Sequence, residues 1–175
     1  IEKKEGVFTG WISYTLSKSI NRFAAFEMGK PFNSSYDRPH SLSVFGSYML
    51  GKGWDINLSF SLLSGQPFTM PVANYPMALN NILSSEIGFN EISYININSE
   101  RNGLRLKTFH KLDIGVRKLF RKKGDFSQWL ELSIYNVYDR QNSTYGKIES
   151  SSNKISVVSV SLFPIIPSVS YGFKF

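Results

Sequence analysis

The chain ends on the alternating stretch Ser168-Val-Ser-Tyr-Gly-Phe-Lys-Phe175. In an extended strand, successive side chains point to opposite faces. The aliphatic and aromatic residues of this stretch therefore share one face, and the serines, the glycine and the lysine share the other. The pattern predicts a β-strand that has one apolar face and one polar face.

Five other segments show the same period of two, which is typical of half-buried strands. They cover approximately residues 8–17, 41–50, 54–62, 112–117 and 130–135. The third is the clearest, because Ile56, Leu58 and Phe60 alternate with polar residues. Together with the abundance of aromatic residues and glycine, the pattern predicts an all-β fold with six antiparallel strands.

The connections between these strands alternate between short and long. Gly51–Gly53 and Arg121–Asp125 form short turns, whereas about 20, 40 and 25 residues follow the first, third and fifth strands, against 2 to 5 in ordinary hairpin loops. An antiparallel meander then has long loops at one rim and tight turns at the other. Outer-membrane barrels have this asymmetry, with long extracellular loops and short periplasmic turns. We therefore expect a segment of an antiparallel transmembrane β-barrel, with Phe175 and the polar lead 1–6 on the periplasmic rim.

Composition excludes several other classes of protein. The chain has 175 residues, of which 42% are hydrophobic, and this is typical of a folded domain. It has no cysteine, which excludes disulfide scaffolds and thiol catalysis. The net charge of +7 is accompanied by no nucleic-acid-binding module, so we expect no nucleic-acid partner.

A soluble antiparallel β-sandwich that acts as a binding module is the alternative, because it also buries alternate residues. It does not explain why three long loops lie at one rim. The membrane interpretation has its own requirement, since six strands leave two open edges and each unpaired backbone group in hydrocarbon costs several kcal/mol. We expect strands N-terminal to Ile1 to complete the barrel, and another polypeptide or further copies of this chain are the alternatives.

Five segments, in order, resemble the C-terminal barrel portion of TonB-dependent outer-membrane receptors of the Bacteroidota type. They include Tyr36-Asp-Arg-Pro-His-Ser-Leu42 and Leu132-Ser-Ile-Tyr-Asn-Val-Tyr-Asp139. The others are Gly65–Pro71, Arg101–Gly115 and Leu162–Phe175. The resemblance covers nearly the whole chain after its first few residues.

This resemblance implies a barrel of roughly 22 strands around a plug, of which residues 1–175 would supply the last six strands. The plug and the remaining strands would lie outside this chain. The implied function is energy-coupled import of a ligand across a Gram-negative outer membrane, or a scaffold role in an outer-membrane complex. The implied partners are the rest of the barrel and its plug, the barrel-assembly machinery, outer-membrane lipid and lipopolysaccharide, a surface lipoprotein and, indirectly, TonB, ExbB and ExbD.

Two groups of residues are candidates for binding. The long loop after the third strand is the expected ligand or partner loop, because connections of that length are usually functional. Its candidate residues are Tyr75, Phe89, Tyr94, Arg101 and Arg105. Tyr75, Phe89, Tyr94 and the run 92–97 are expected to form a small extracellular hairpin. The second group is expected to face the lumen or contact the plug, and comprises Asp37, Arg38, His40, His110, Asp113 and Arg117. Asp37, Arg38 and His40 are expected chiefly to anchor the loop, with Asp37 as a turn former and Arg38 paired to a neighbouring acid, and a metal or proton-relay role is the alternative.

We expect the protein to have no enzymatic activity, no metal site and no cofactor. Only two histidines are present, and no nucleophile elbow accompanies them. The terminal aromatic residues Tyr171, Phe173 and Phe175 resemble the signal read by the barrel-assembly machinery. Trp54 and Trp129, each beside a short turn, are expected in interfacial aromatic belts. The expected lipid-facing side chains are Ile12, Leu42, Ile56, Leu58, Leu112, Ile114, Leu132 and Phe173.

Overall fold

The computed structural model describes residues 1–25, 27–77, 93–124, 126–143, 145–151 and 154–175. The fold of this part is all-β and antiparallel, as the sequence predicts. Its strands are β1 Glu2–Lys3, β2 Phe8–Leu16, β3 Ile20–Asn21, β4 Phe32–Asn33, β5 His40–Gly51, β6 Trp54–Leu63, β7 Pro67–Phe68, β8 Pro71–Met77, β9 Ser93–Asn98, β10 Leu104–Arg105, β11 Phe109–Lys123, β12 Phe126–Tyr135, β13 Tyr145–Ser151, β14 Lys154–Val160 and β15 Ile166–Lys174. A short 3₁₀ helix covers Glu27–Gly29. Within the described residues, no helix has the length and apolar character needed to cross a membrane.

The main sheet has seven strands in the order β1-β2-β5-β6-β11-β12-β15. Six of them are the predicted strands, and every neighbouring pair is antiparallel. The register places residues of like character side by side. Ile12 lies opposite Val44, Val44 opposite Phe60, and Phe60 opposite Leu112, so an apolar row crosses four strands.

The fourth predicted strand is longer than the sequence pattern indicated. β11 continues to Lys123, with an irregularity in its register between Leu119 and Arg121. The turn into β12 follows at Gly124, whose φ is +60°. The prediction that the turn begins at Arg121 was wrong, because the bulge and the run of basic residues interrupt the alternation while backbone pairing continues.

The polar lead forms a further strand that the sequence pattern did not reveal. Glu2 pairs with Trp11 and Lys3 with Gly10, and the turn between β1 and β2 includes Gly6 at φ +102°. Because β1 covers only part of β2, the described residues provide no second neighbour for β2 beyond Ile12. β15 forms the other edge of the sheet. The sheet described here is therefore open.

No aliphatic or aromatic side chain whose exposure is described is buried, apart from Pro67 and Pro71. The buried polar residues are Ser34, Asp37, Asn102, Asn136 and Asn142, and all five lie in the long connections. A water-soluble domain of this length normally buries a large share of its apolar surface. The described part of this chain has a polar core beside one rim and an uncovered apolar sheet.

The long connections lie at a single rim. Residues 17–39 follow β2, residues 64–108 follow β6, and residues 136–165 follow β12. Small antiparallel pairs form within them, among them β3 with β4, β7 with β10, β8 with β9 and β13 with β14. We call residues 17–39, 64–108 and 136–165 the first, second and third long loops.

Candidate functional site

The apolar face of the main sheet carries the expected lipid-facing side chains. The register places all eight on one face, although contact with lipid stays a prediction. Ile12, Leu58, Leu132 and Phe173 are exposed by 49%, 44%, 53% and 58%. These fractions are large for apolar residues in the middle of strands. The described residues leave this apolar face uncovered.

The opposite face is mostly polar, and four of its charged side chains form two ion pairs. Arg117 Nη2 donates to Asp55 Oδ2 over 3.0 Å across β11 and β6. Asp113 forms an ion pair with Lys111, whose ammonium group also lies 4.2 Å from the centre of the Tyr135 ring. These contacts satisfy Asp113 and Arg117 within the chain, and contact with a plug stays a prediction for both.

His40 and His110 lie on the apolar face, which corrects the expectation that groups them with Asp113 and Arg117. His40 precedes Leu42 by two residues and His110 precedes Leu112 by two, so each shares the face of those leucines. Each imidazole is bonded to a phenol at the loop rim. Nδ1 of His40 lies 2.7 Å from the Tyr14 hydroxyl, and Nδ1 of His110 lies 2.8 Å from that of Tyr138.

Within the described part of the chain, the hydrogen-bonding partner of each imidazole ring is a tyrosine hydroxyl. Both imidazoles are engaged by tyrosines, and neither His40 nor His110 has a serine hydroxyl among the ring contacts of the described residues. The same part of the chain contains no group of three or more acidic or histidine side chains that could hold a metal ion.

An ion pair at the loop rim connects the first long loop to the second. Arg105 pairs with the buried Asp37 and also donates to the Asp37 and Gly65 carbonyls over 2.9 and 3.2 Å. The Ser19 amide donates to Asp37 Oδ1 over 2.6 Å. The hydrogen bond from Arg105, together with that from Ser19, holds the pKa of Asp37 below its usual value despite burial.

Asn102 forms a second connection between the same loops. Its Nδ2 donates to the Asn33 carbonyl over 2.7 Å, and its carbonyl accepts from Asn33 Nδ2 over 3.3 Å. Its amide donates to Thr69 Oγ1 over 2.9 Å. Asn102 has a φ of +52°, a left-handed conformation that asparagine tolerates better than most residues. These contacts fix the two loops against each other.

Asn136 and Asn142 hold the third long loop against β11. The Asn136 amide donates to Asp113 Oδ1 over 3.0 Å, and its side chain bonds the backbone of Arg140 and Phe163. Asn142 accepts from the His110 amide and donates to its carbonyl. Sequence analysis missed Asn102, Asn136 and Asn142. The available signal was the loss of alternation after Tyr135, where asparagine adopts a φ of +54°.

The other candidate residues whose positions are described lie in the first and second long loops. Arg38 is half-buried, and the described residues include no ion pair for it, so its expected pairing with a neighbouring acid stays a prediction. Arg101 lies in the second long loop, with its guanidinium carbon 5.1 Å from the centre of the Phe32 ring. Tyr75 and Tyr94 lie in β8 and β9, whose antiparallel pairing agrees with the expected hairpin. The extracellular position stays a prediction, and Phe89 lies outside the described residues.

The terminal aromatic residues form an exposed column on β15. The ring centroids of Tyr171 and Phe173 are 6.4 Å apart, and those of Phe173 and Phe175 are 6.2 Å apart. Trp54 lies on the same apolar face, where the Lys118 ammonium is 4.8 Å from its ring centre. Trp129 instead lies over Gly172 on the polar face, so it does not occupy the expected belt position.

No protein-family model matches the chain, and no curated protein sequence or solved structure shows significant similarity to it.

Proposed function

We propose that this chain forms the C-terminal strands of a TonB-dependent receptor barrel in a Gram-negative outer membrane. In this proposal, lipid covers the apolar face, the polar face lines the interior, and the complete barrel imports a ligand with energy transmitted from the inner membrane. Strands outside the described sheet pair with its two edges. The single observation that carries the proposal is the pair of unlike faces, of which the apolar one is uncovered.

Three physical arguments support lipid as the covering. The apolar face extends without interruption across six strands, which exceeds the isolated exposed apolar residues that are normal on soluble proteins. The opposite face carries serine, asparagine and paired charges, which suit a wet interior. Each long loop lies at one rim and each tight turn at the other.

A self-contained β-sandwich is the weaker candidate. A sandwich buries the inner faces of two sheets against each other. Leu58, near the middle of the main sheet, is 44% exposed, and many other apolar residues of the same face are exposed as well. A soluble fold would need a second layer on this face, and the described residues do not provide one.

Matched arginine substitutions on adjacent residues of β6 test the proposal. Leu58→Arg should destabilise the intact protein in membranes by about 2 to 4 kcal/mol, because it places a charge in hydrocarbon near the midplane. Ser59→Arg faces the interior and should be tolerated. Unfolding by guanidinium in lipid vesicles measures both. Equal destabilisation by the two variants would indicate two buried faces and contradict the membrane assignment.

A further inference from the structure

A cavity of about 360 Å³ lies between the first and second long loops. Its lining includes Lys18, Lys30 and Phe32 from the first loop and Glu100 and Arg101 from the second. The volume is within the range of small-molecule sites. The cavity is a candidate for the ligand site of the loop rim.

The charged groups of this lining are predominantly cationic. Among the described lining residues, the cationic side chains are Lys18, Lys30 and Arg101 and the acidic one is Glu100. Asp37 is near Lys18, but its carboxylate is already engaged by Arg105. The cavity therefore keeps an excess of positive charge that favours an anion.

The lining also contains apolar surface beside these charges. Phe32 lies under the Arg101 guanidinium, and Ile20 and Pro31 also line the cavity. Cation–π contact restricts the position of the guanidinium over the ring. A ligand that combines an anionic group with an apolar portion would match both parts of the wall.

Hydrogen bonds hold the cavity walls in place. Phe32 and Asn33 belong to β4, which pairs with β3, and Asn33 is bonded to Asn102 of the second loop. The Gly103 amide closes a turn on the Glu100 carbonyl over 3.0 Å. Walls that are ordered before binding reduce the entropic cost of binding a ligand.

We propose that this cavity binds a small organic anion, with its carboxylate or phosphate group at Lys18, Lys30 and Arg101 and its apolar portion against Phe32 and Ile20. The inference rests on the proposed function, and it assigns the imported ligand to this chemical class. Binding is non-covalent and needs no metal.

Calorimetric titration of the intact protein in detergent tests the class of ligand. The probe is phenyl phosphate, and benzyl alcohol, benzylammonium and inorganic phosphate are the matched comparisons. We expect phenyl phosphate to bind most tightly, and its affinity to fall as salt is raised, because the charges are near the surface. Equal or tighter binding of the neutral, the cationic or the inorganic probe would overturn the proposal.

Substitutions of opposite sign locate the binding in this cavity. Lys30→Gln removes a cation and should lower the affinity for phenyl phosphate by about tenfold, because one charged hydrogen bond is lost. Glu100→Gln removes the opposing carboxylate and should raise the affinity for phenyl phosphate by about two- to fivefold. Lys107→Gln, an exposed residue of the same loop outside the cavity, is the control and should leave the affinity unchanged.

The outcomes separate this site from the proposed function. Weakening by Glu100→Gln, or an effect of Lys107→Gln equal to that of Lys30→Gln, would overturn the cavity as the site. Circular dichroism of each variant shows whether the fold is kept. A protein that inserts in the outer membrane without binding phenyl phosphate would retain the membrane assignment and overturn the anion site. Binding of phenyl phosphate by a protein that is absent from the outer membrane would retain the anion site and overturn the membrane assignment.

Discussion

Arg105 forms an ion pair with Asp37, 68 residues earlier in the chain, and thereby joins the first and second long loops. The Asp37 side chain is 1% exposed and that of Arg105 is 33% exposed, so the carboxylate depends on its partners for solvation. An unpaired buried carboxylate would be costly. The geometry of the loop rim therefore depends on this pair.

Arg105→Met should loosen the loop rim while leaving the main sheet in place. The variant keeps an unbranched apolar stem but removes the guanidinium, and we expect a cost of about 1 to 3 kcal/mol. Hydrogen exchange of the Ser19 amide, which donates to Asp37, reports local opening. Arg38→Gln is the control, because Arg38 has no ion pair among the described residues. Equal exchange in both variants would contradict a special role for Arg105.

The same pair predicts a dependence of loop stability on pH. The pKa of Asp37 is lowered from 3.8 in the folded chain, chiefly by the hydrogen bond from Arg105 and then by that from Ser19. A lowered folded pKa contributes stability that is complete above 3.8 and is lost as the pH falls through the folded value. The protection factor of the Ser19 amide, which corrects for the intrinsic pH dependence of exchange, should therefore fall in acid below pH 3.8. Asp37→Asn should remove this acid dependence, and its persistence in that variant would assign it to another group.

Two facing glycines in β2 and β5 predict unequal effects of the same substitution. Gly10 lies opposite Gly46, and a Cβ at Gly10 would lie 2.3 Å from the Phe45 carbonyl oxygen, whereas a Cβ at Gly46 would lie 3.3 Å from the movable Phe8 ring. Gly10→Ala should therefore cost about 1 to 3 kcal/mol. Gly46→Ala should cost less, because a side chain can shift more easily than backbone. Denaturant unfolding measures both, and a larger cost for Gly46→Ala would contradict this packing.

Much of the sheet could be predicted from the sequence because each strand carries its own signal. Period-two alternation located Trp54–Leu63 to within one residue, and the faces followed from parity alone. The loop rim could not be predicted in this way. Asp37 and Arg105 are far apart in sequence, and local alternation says nothing about which loop residues meet. The prediction for Trp129 was wrong because it relied on the nearness of this residue to a turn. The position of Trp129 in the alternation of β12 places its side chain on the polar face.

The two rims should differ in their accessibility from outside the cell. Tyr36 lies in the first long loop and is 84% exposed, and Lys4 lies in the turn between β1 and β2 with its side chain 75% exposed. Because the chain has no cysteine of its own, Tyr36→Cys and Lys4→Cys introduce single thiols into it. A membrane-impermeant maleimide should label the first on whole cells and the second only after lysis. Labelling of Lys4→Cys on whole cells would contradict the orientation.

The exposed aromatic column on β15 predicts a defect of assembly. Phe175 is 88% exposed and contacts Phe173, so its removal leaves little of the described packing disturbed. If the barrel-assembly machinery reads this column, Phe175→Ala should reduce the amount of protein inserted in the outer membrane while the inserted fraction keeps its unfolding midpoint. Phe120→Ala removes an aromatic side chain that is 59% exposed near the turn end of β11, and it controls for lost apolar surface. Quantification of outer-membrane fractions measures both variants. Equal insertion of the two variants would show that Phe175 contributes only apolar surface. A recognition signal would instead make insertion depend on which aromatic residue is removed, with the larger loss at the terminal position.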